Sequence, residues 1–385
     1  MKRKLILVVA MLDSVHTARW LSQFQNQEID FVIVGSKKHK VLHPNLIQLL
    51  KSHGEAQFEL AHFRNFVGFA GYLDFFFFIF LSRFFQIDFR LKKLTSLLNK
   101  KTFDCVHALE IQGAGYLVDR ALRNSRVKVK FILTNWGSDI YYFQEDADHK
   151  MAIQSALQSA THYSAECRRD YVLAKNLGFV GIELPCMPNA GGFDLQLIQN
   201  QSLASTRKSI VAKAYGGDFG RGDLVVESLS QILHRFNNTS VFLYSVTDDL
   251  IEIVEKLRIR FPDRVQYSGR RSPLSRDQMR ELFLESRVYV GASRSDGIST
   301  SFLEALISGC YPVQTNTSCA NEWVDFGATA SLVGMDVRQI STGLELALTN
   351  DLLVDQAQEN NKRIAESHLS SDVIRPLALT FYLSL

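Results

Sequence analysis

The order of apolar and polar positions along the chain reads as repeated strand–helix units. Residues 5–11 (Leu-Ile-Leu-Val-Val-Ala-Met) form an unbroken apolar run, the pattern of a parallel strand covered on both faces. Asp13 and Ser14 then supply helix-cap chemistry, and Trp20, Leu21 and Phe24 recur at helical spacing. A second apolar run, 31–34, closes at Gly35 and completes a β-α-β unit. Strand-like segments at 105–108, 129–133 and 163–165 continue the alternation with longer helical stretches between them. This pattern predicts a doubly wound α/β domain over residues 1–190.

Residues 188–208, beginning P-N-A-G-G-F-D and turning rich in Gln, Asn and Ser, read as a linker. Beyond it, strand signals at 210–212, 241–244, 265–267, 288–290 and 312–314 alternate with helical stretches and predict a second α/β domain over 205–360. Residues 361–385 read as a helical segment that crosses back to the first domain. Two such domains facing across a cleft would bring the carboxyl ends of both sets of strands to the interface, where open α/β sheets bind ligands.

Composition changes this picture in one place. The chain has 385 residues, 46% hydrophobic and 22% charged, which excludes disordered and low-complexity classes. A net charge of +3 gives no electrostatic case for a nucleic-acid partner. Five scattered cysteines without a C-x-x-C pair argue against a disulfide framework or a zinc site and fit a reducing, cytoplasmic compartment. The anomaly is 27 Phe, many of them in residues 66–90. A membrane-spanning helix needs about 20 apolar residues, and Asp74 and Arg83 interrupt this stretch. Phe75 to Leu81 is too short to span. It reads either as a core helix or as an interfacial helix with Arg83, Arg90, Lys92 and Lys93 facing anionic lipid.

The most informative chemistry lies around D-G-I-S-T-S-F-L-E-A-L-I-S-G-C-Y-P-V. Residues 288–290 form a strand, Asp296 and Gly297 a turn, and Ser299, Thr300 and Ser301 three successive candidates for a helix N-cap. Gly309 fits the helix C′ position and Pro312 the start of the next strand. A helix N-terminus at the end of a strand favours phosphate. Asp296 and Glu304 would flank a phosphate held there and accept hydrogen bonds from ribose and sugar hydroxyls. The plain structural alternative is a capped helix with Glu304 on a solvated face. Upstream, A-K-A-Y-G-G-D-F-G-R-G-D sets Lys213 and Arg221 around a glycine-rich loop, Gly216, Gly217, Gly220 and Gly222, that lets backbone approach an anion.

These motifs resemble the signature of the family 4 retaining glycosyltransferases, which have the GT-B fold of two Rossmann-like domains. Their pattern E-x7-E followed by A-x-x-x-G-x-P-V is matched by Asp296, Glu304, Ala305, Gly309, Pro312 and Val313. Asp stands here where the family has its first Glu, one methylene shorter. The resemblance implies that Glu304 binds the nucleotide ribose and Asp296 contacts the donor sugar. It implies that Lys213 and Arg221 hold the donor diphosphate, with Gly217, Gly220, Gly297, Ile298, Ser299, Thr300 and Ser301 lining the donor site. In the first half, His16, Thr17, Arg19 and Trp20 resemble a recurring H-T-x-R-W. F-D-C-V-H-A-L-E, with His107, resembles a D-x-V-H-A-H strand. T-N-W-G-S-D, with Asp139, resembles T-x-H-G-S-D, Trp136 replacing the usual His.

The resemblance implies a retaining transfer from a nucleotide-diphosphate sugar to a saccharide acceptor, with His16 beside the reaction and His107 and Asp139 on the acceptor or sugar side. No metal or other cofactor is expected, because cations and the helix dipole would stabilise the leaving diphosphate. The phenylalanine segment and its basic flank suggest a lipid-linked acceptor, in cell-surface polysaccharide or glycolipid synthesis at the inner face of the cytoplasmic membrane. A sugar-nucleotide-binding adaptor without turnover and a GT-B epimerase are the alternatives.

Overall fold

The computed structural model describes residues 3–37, 41–61, 88–198 and 201–385. The chain divides into two units: Met1–Gly191 with Arg375–Leu385, and Gly192–Ile374. The stretch 75–81, read as either a core or an interfacial helix, lies outside the described residues, as does Arg83.

The first unit is built on seven parallel strands: β1 (Lys4–Ala10), β2 (Ile29–Gly35), β3 (Phe58–Leu60), β4 (Cys105–Leu109), β5 (Lys130–Thr134), β6 (His162–Ser164) and β7 (Ile182–Glu183). Their order is β3-β2-β1-β4-β5-β6-β7, so the direction of winding reverses between β1 and β4. The apolar run of β1 has its cause here: Val8 pairs with Ile33 on one side and His107 on the other, and residues 6–10 are fully buried. On one face Leu7, Val9, Val106 and Phe131 pack with Leu94, Leu98 and Val118. Elsewhere in the unit the rings of Trp20, Phe24, Phe31 and Phe58 form a chain with centroids 5.3–5.5 Å apart. Part of the phenylalanine excess is therefore core. Ser14 caps the helix Val15–Ser22, its hydroxyl accepting from the His16 N–H.

Within the C-terminal segment, residues 361–374 belong to the second unit and Arg375–Leu385 to the first. Phe381 and Tyr382 complete the aromatic cluster, with centroids 5.0 Å from Trp20 and Phe24 respectively. The Lys4 ammonium donates to the Tyr382 and Leu385 carbonyls, each at 2.8 Å. That places a cation on the C-terminal end of a helix, where the dipole favours it.

The second unit has six parallel strands: β8 (Ser209–Lys213), β9 (Ser240–Val246), β10 (Val265–Gly269), β11 (Ser286–Gly291), β12 (Tyr311–Thr315) and β13 (Ser331–Val333). Their order is β10-β9-β8-β11-β12-β13, and the winding reverses between β8 and β11. The expected linker is only partly a linker. Phe193 exchanges backbone hydrogen bonds with Leu369 and Ser371, and the Arg207 guanidinium donates to the Ser286 and Ser308 carbonyls, so both ends of 192–208 are fastened into this unit. Buried carbonyls at strand and helix ends need such donors. Among the described residues, no helix is long and apolar enough to cross a membrane.

Candidate functional site

In the second unit the residues singled out from the sequence gather at one rim of the sheet, at the switch point. Lys213 is the last residue of β8 and pairs in register with Gly291, the last residue of β11. The loops leaving these two strands are stitched together. The Arg221 N–H donates to the Ala292 carbonyl at 3.0 Å, the Arg294 N–H donates to Phe219 at 2.7 Å, and Gly220 bridges Ser293. The glycine loop and the Asp296 turn are thus one surface, and ligands bind at such switch points.

The helix Thr300–Ser308 begins at Ser299, yet the Ser299 side chain makes no capping hydrogen bond. Its hydroxyl turns toward the phenol of Tyr289, so the N–H groups of the first turn are left without a side-chain cap. Gly309 ends the helix with φ of 70°, the left-handed C-cap its sequence position suggested. From Ser301 to Cys310 every residue is buried except Glu304, which is half-buried. Together with Thr300, the first residue of the helix, Glu304 is a half-buried position on an otherwise buried helix, not a freely solvated one. Asp296 is half-buried as well, and its Oδ1 accepts from the Gly297 N–H at 3.0 Å. Ile298 and Ser299 are buried beneath the turn.

The floor of this site was not legible in the sequence. Tyr289 on β11 and Tyr244 on β9, the two strands that flank β8, are fully enclosed under the helix start. Burial raises both phenols far above their ordinary range. The negative charges of Asp296 and Glu304 raise Tyr289 further, so one buried phenol senses both carboxylates. The Tyr289 hydroxyl donates to Gln314 Oε1 at 3.1 Å. Gly291 makes room for it, since a Cβ there would lie 2.2 Å from the Tyr289 oxygen.

Two parts of the glycine loop are already engaged. The Gly216 N–H donates to Thr247 Oγ1 at 2.9 Å and the Gly217 N–H to Asp249 Oδ2 at 3.1 Å. Gly217 adopts φ of +72° with open space around it, while a Cβ at Gly220 would sit 1.9 Å from the Tyr215 carbonyl oxygen. Arg221 forms a fork with Asp223, Nε to Oδ1 at 2.9 Å and Nη2 to Oδ2 at 2.8 Å, and this bond raises Arg221 and lowers Asp223. Lys213 makes no ion pair among the described residues; its ammonium lies 5.8 Å from the Tyr215 ring centroid.

In the first unit the outcome is divided. His16 is half-buried at the start of its helix, and its ring meets Trp136 edge-on at 5.6 Å. Trp136 thus keeps an aromatic contact with His16 at the position where the resembling motif has a histidine. Asp139 is buried, and its Oδ2 accepts from the Ile111 and Trp136 N–H groups, both at 2.9 Å, tying the loops after β4 and β5 together. Burial, reinforced by the charge of Glu110, holds the Asp139 carboxyl well above its usual range. Glu110 escaped the sequence reading: at φ of 91° it caps its own loop, accepting from Gly113 and Ala114 at 2.7 and 2.6 Å. His107 is a correction. It is fully buried inside β4, with Nδ1 2.7 Å from the Tyr382 hydroxyl and Nε2 2.6 Å from Thr134 Oγ1, and burial lowers it to about 3. It is a neutral core residue, not part of an acceptor surface. Arg90, which the interfacial reading of the phenylalanine segment would turn toward lipid, donates to the Ser36 carbonyl at 2.8 Å and pairs with Asp88.

Residues 82–165 match the family described as glycosyl transferase 4-like, and residues 220–350 match the glycosyl transferases group 1. No curated protein sequence matches the chain. Solved structures of the same fold include HepE from Anabaena in complex with UDP and glucose, at 13% identity over 99% of this chain and 100% of that one, TM-score 0.70. A glycosyltransferase from Rickettsia africae ESF-5 aligns at 14% identity over 100% and 99%, TM-score 0.69. The trehalose 6-phosphate synthase of Burkholderia multivorans aligns at 14% identity over 100% and 99%, TM-score 0.65.

Proposed function

We propose that this chain, which has two parallel-sheet α/β domains of the GT-B fold and matches glycosyl transferase 4-like and glycosyl transferases group 1 models over residues 82–165 and 220–350, transfers a hexose from a nucleotide-diphosphate sugar to a saccharide acceptor with retention at the anomeric carbon. The observation that carries this reading is Glu304, a half-buried carboxylate on a mostly buried helix whose N-terminus lacks a side-chain cap and follows the Asp296 turn, with Lys213 at the end of the strand next to β11. An acid in that setting accepts hydrogen bonds from neutral hydroxyls, while the helix N–H groups and the cation take the diphosphate.

Catalysis is then mainly electrostatic. Lys213 and the helix start at Ser299, Thr300 and Ser301 stabilise the charge that grows on the departing diphosphate, within a site preorganised by the stitched loops. Glu304 fixes the ribose and Asp296 the sugar. The acceptor hydroxyl attacks the anomeric carbon on the face the diphosphate leaves, and the leaving phosphate oxygen takes the hydroxyl proton. No metal is required in this scheme, because Lys213 and the helix dipole occupy its place. Since HepE is described with UDP-glucose, a UDP sugar is the first donor to test.

The acceptor in this reading is lipid-linked and met at the cytoplasmic face of the membrane, a role assigned to the phenylalanine run 75–81 from its sequence. Flotation with anionic vesicles tests that part. Loss of binding on Phe77→Ser with Phe78→Ser supports it, and indifference to both changes removes it. The transfer itself is tested by nucleoside-diphosphate release across a donor and acceptor panel. Release that survives both Glu304→Gln and Lys213→Ala in folded protein would sink the assignment.

A further inference from the structure

The second donor cation need not be the one the family pattern indicates. Arg221 is engaged along one edge: its Nε and Nη2 donate to the Asp223 carboxylate. Arg271 is also engaged, paired with Asp248. Arg270 is different. It is exposed, it forms no ion pair among the described residues, and its guanidinium carbon lies 5.1 Å from the centroid of the Tyr215 ring. Lys213 stands 5.8 Å from the same centroid.

We propose that Arg270 and Lys213, both stationed on the ring of Tyr215, form the cation pair that receives the donor diphosphate, with Tyr215 as the residue that positions them. The proposal rests on the donor reading given above.

The topology explains how cations from β8 and β10, two strands apart, come to share one ring. The loop after β8 runs over the end of β9, where Gly216 and Gly217 are anchored on Thr247 and Asp249. That carries Tyr215 toward the end of β10. There the Arg270 N–H donates to the Val246 carbonyl at 2.8 Å, fixing the base of its side chain. Tyr215 itself is immobilised, its carbonyl accepting from the Gly222 N–H at 2.9 Å while Gly220 closes over it. Two like charges beside one aromatic ring, with no carboxylate paired to either, repel one another. A ring holds a cation weakly compared with phosphate, so both can turn from the ring onto a shared anion. A dianionic diphosphate relieves the repulsion. A neutral sugar or a base does not.

The test is calorimetric titration of the full chain with UDP, ADP and GDP, each beside its own nucleoside. Arg270→Ala is expected to weaken the best-bound diphosphate tenfold or more and leave its nucleoside within twofold. Arg271→Ala, the same loss of charge one residue away, stays within twofold for both. Tyr215→Phe keeps diphosphate affinity and Tyr215→Leu loses it, as a positioning ring requires. Equal weakening of diphosphate and nucleoside by Arg270→Ala would mean a base contact and overturn the proposal, as would no change. If Lys213→Ala still weakens the diphosphate, only this inference falls. If no diphosphate binds the parent, or Lys213→Ala has no effect, the donor reading falls with it.

Discussion

His107 Nδ1 and the hydroxyl of Tyr382 lie 2.7 Å apart, across 275 residues of sequence, and the same hydroxyl accepts from the indole N–H of Trp20 at 3.0 Å. With the phenol accepting from Trp20 and donating to Nδ1, the imidazole proton sits on Nε2 and is donated to Thr134. The network is neutral. Tyr382→Phe leaves two buried groups without a partner, each costing about 1–3 kcal/mol. The unfolding transition of the first unit should therefore fall by several degrees in scanning calorimetry, and nucleotide binding by the second unit should be unchanged.

The same imidazole makes stability depend on acid. Its folded value of about 3 lies below the ordinary 6.5 of an unfolded histidine. The unfolded chain therefore binds a proton that the folded one refuses, throughout the range between the two values. The contribution of neutral His107 is complete above pH 6.5 and is lost as pH falls toward 3, by up to about 1.4 kcal/mol per unit. Urea titrations at pH 7, 6 and 5 should show that decline, and in His107→Gln it should be shallower by one proton.

Glu304→Gln keeps the shape of the side chain and removes the charge proposed to hold the ribose hydroxyls. Transfer is expected to drop about 10²–10³-fold, the usual consequence of losing one preorganised group, with circular dichroism unchanged. Asp296→Glu restores the residue found in the resembling motif and is expected to keep activity while altering the preference among donor sugars.

Two glycines of one loop should respond differently. Gly217→Ala meets open space and costs about 1–2 kcal/mol, because its φ of +72° disfavours a side chain. Gly220→Ala drives a methyl onto the Tyr215 carbonyl at 1.9 Å, so the loop must move. Donor affinity should fall at least tenfold in Gly220→Ala and much less in Gly217→Ala.

If cations and a helix start hold the donor diphosphate, as proposed, transfer proceeds in the presence of a chelator. Transfer rates measured with EDTA and with added Mg²⁺ or Mn²⁺ are expected to agree within twofold. A rate restored only by a divalent ion would contradict the scheme.

The long strands were readable because burial on both faces forces continuous apolar runs, as in β1 and β11. The short edge strands β3, β7 and β13 were not. Two or three residues paired on one side impose no such pattern, and Ile182 and Glu183 are both exposed. The acid pair and the glycine loop were visible because turns and caps restrict residue type locally. Tyr244 and Tyr289 were not, since their meaning arises only when separate strands are laid side by side. His107 was misjudged for the same reason. A histidine at the end of a strand looks alike whether it meets solvent or the phenol of a helix 275 residues later.

That distant helix also fixes an order of events during synthesis. β1 of the first unit leaves the ribosome before any strand of the second, yet Phe381 and Tyr382 fill the first unit's aromatic core and the carbonyls of Tyr382 and Leu385 satisfy Lys4. At the usual ~5–20 residues per second, the whole second unit is made in between, a delay of roughly 10–40 s. The nascent amino-terminal half must hold Trp20, Phe24 and Phe31 without their last neighbours for that time. The unit that appears first is completed last.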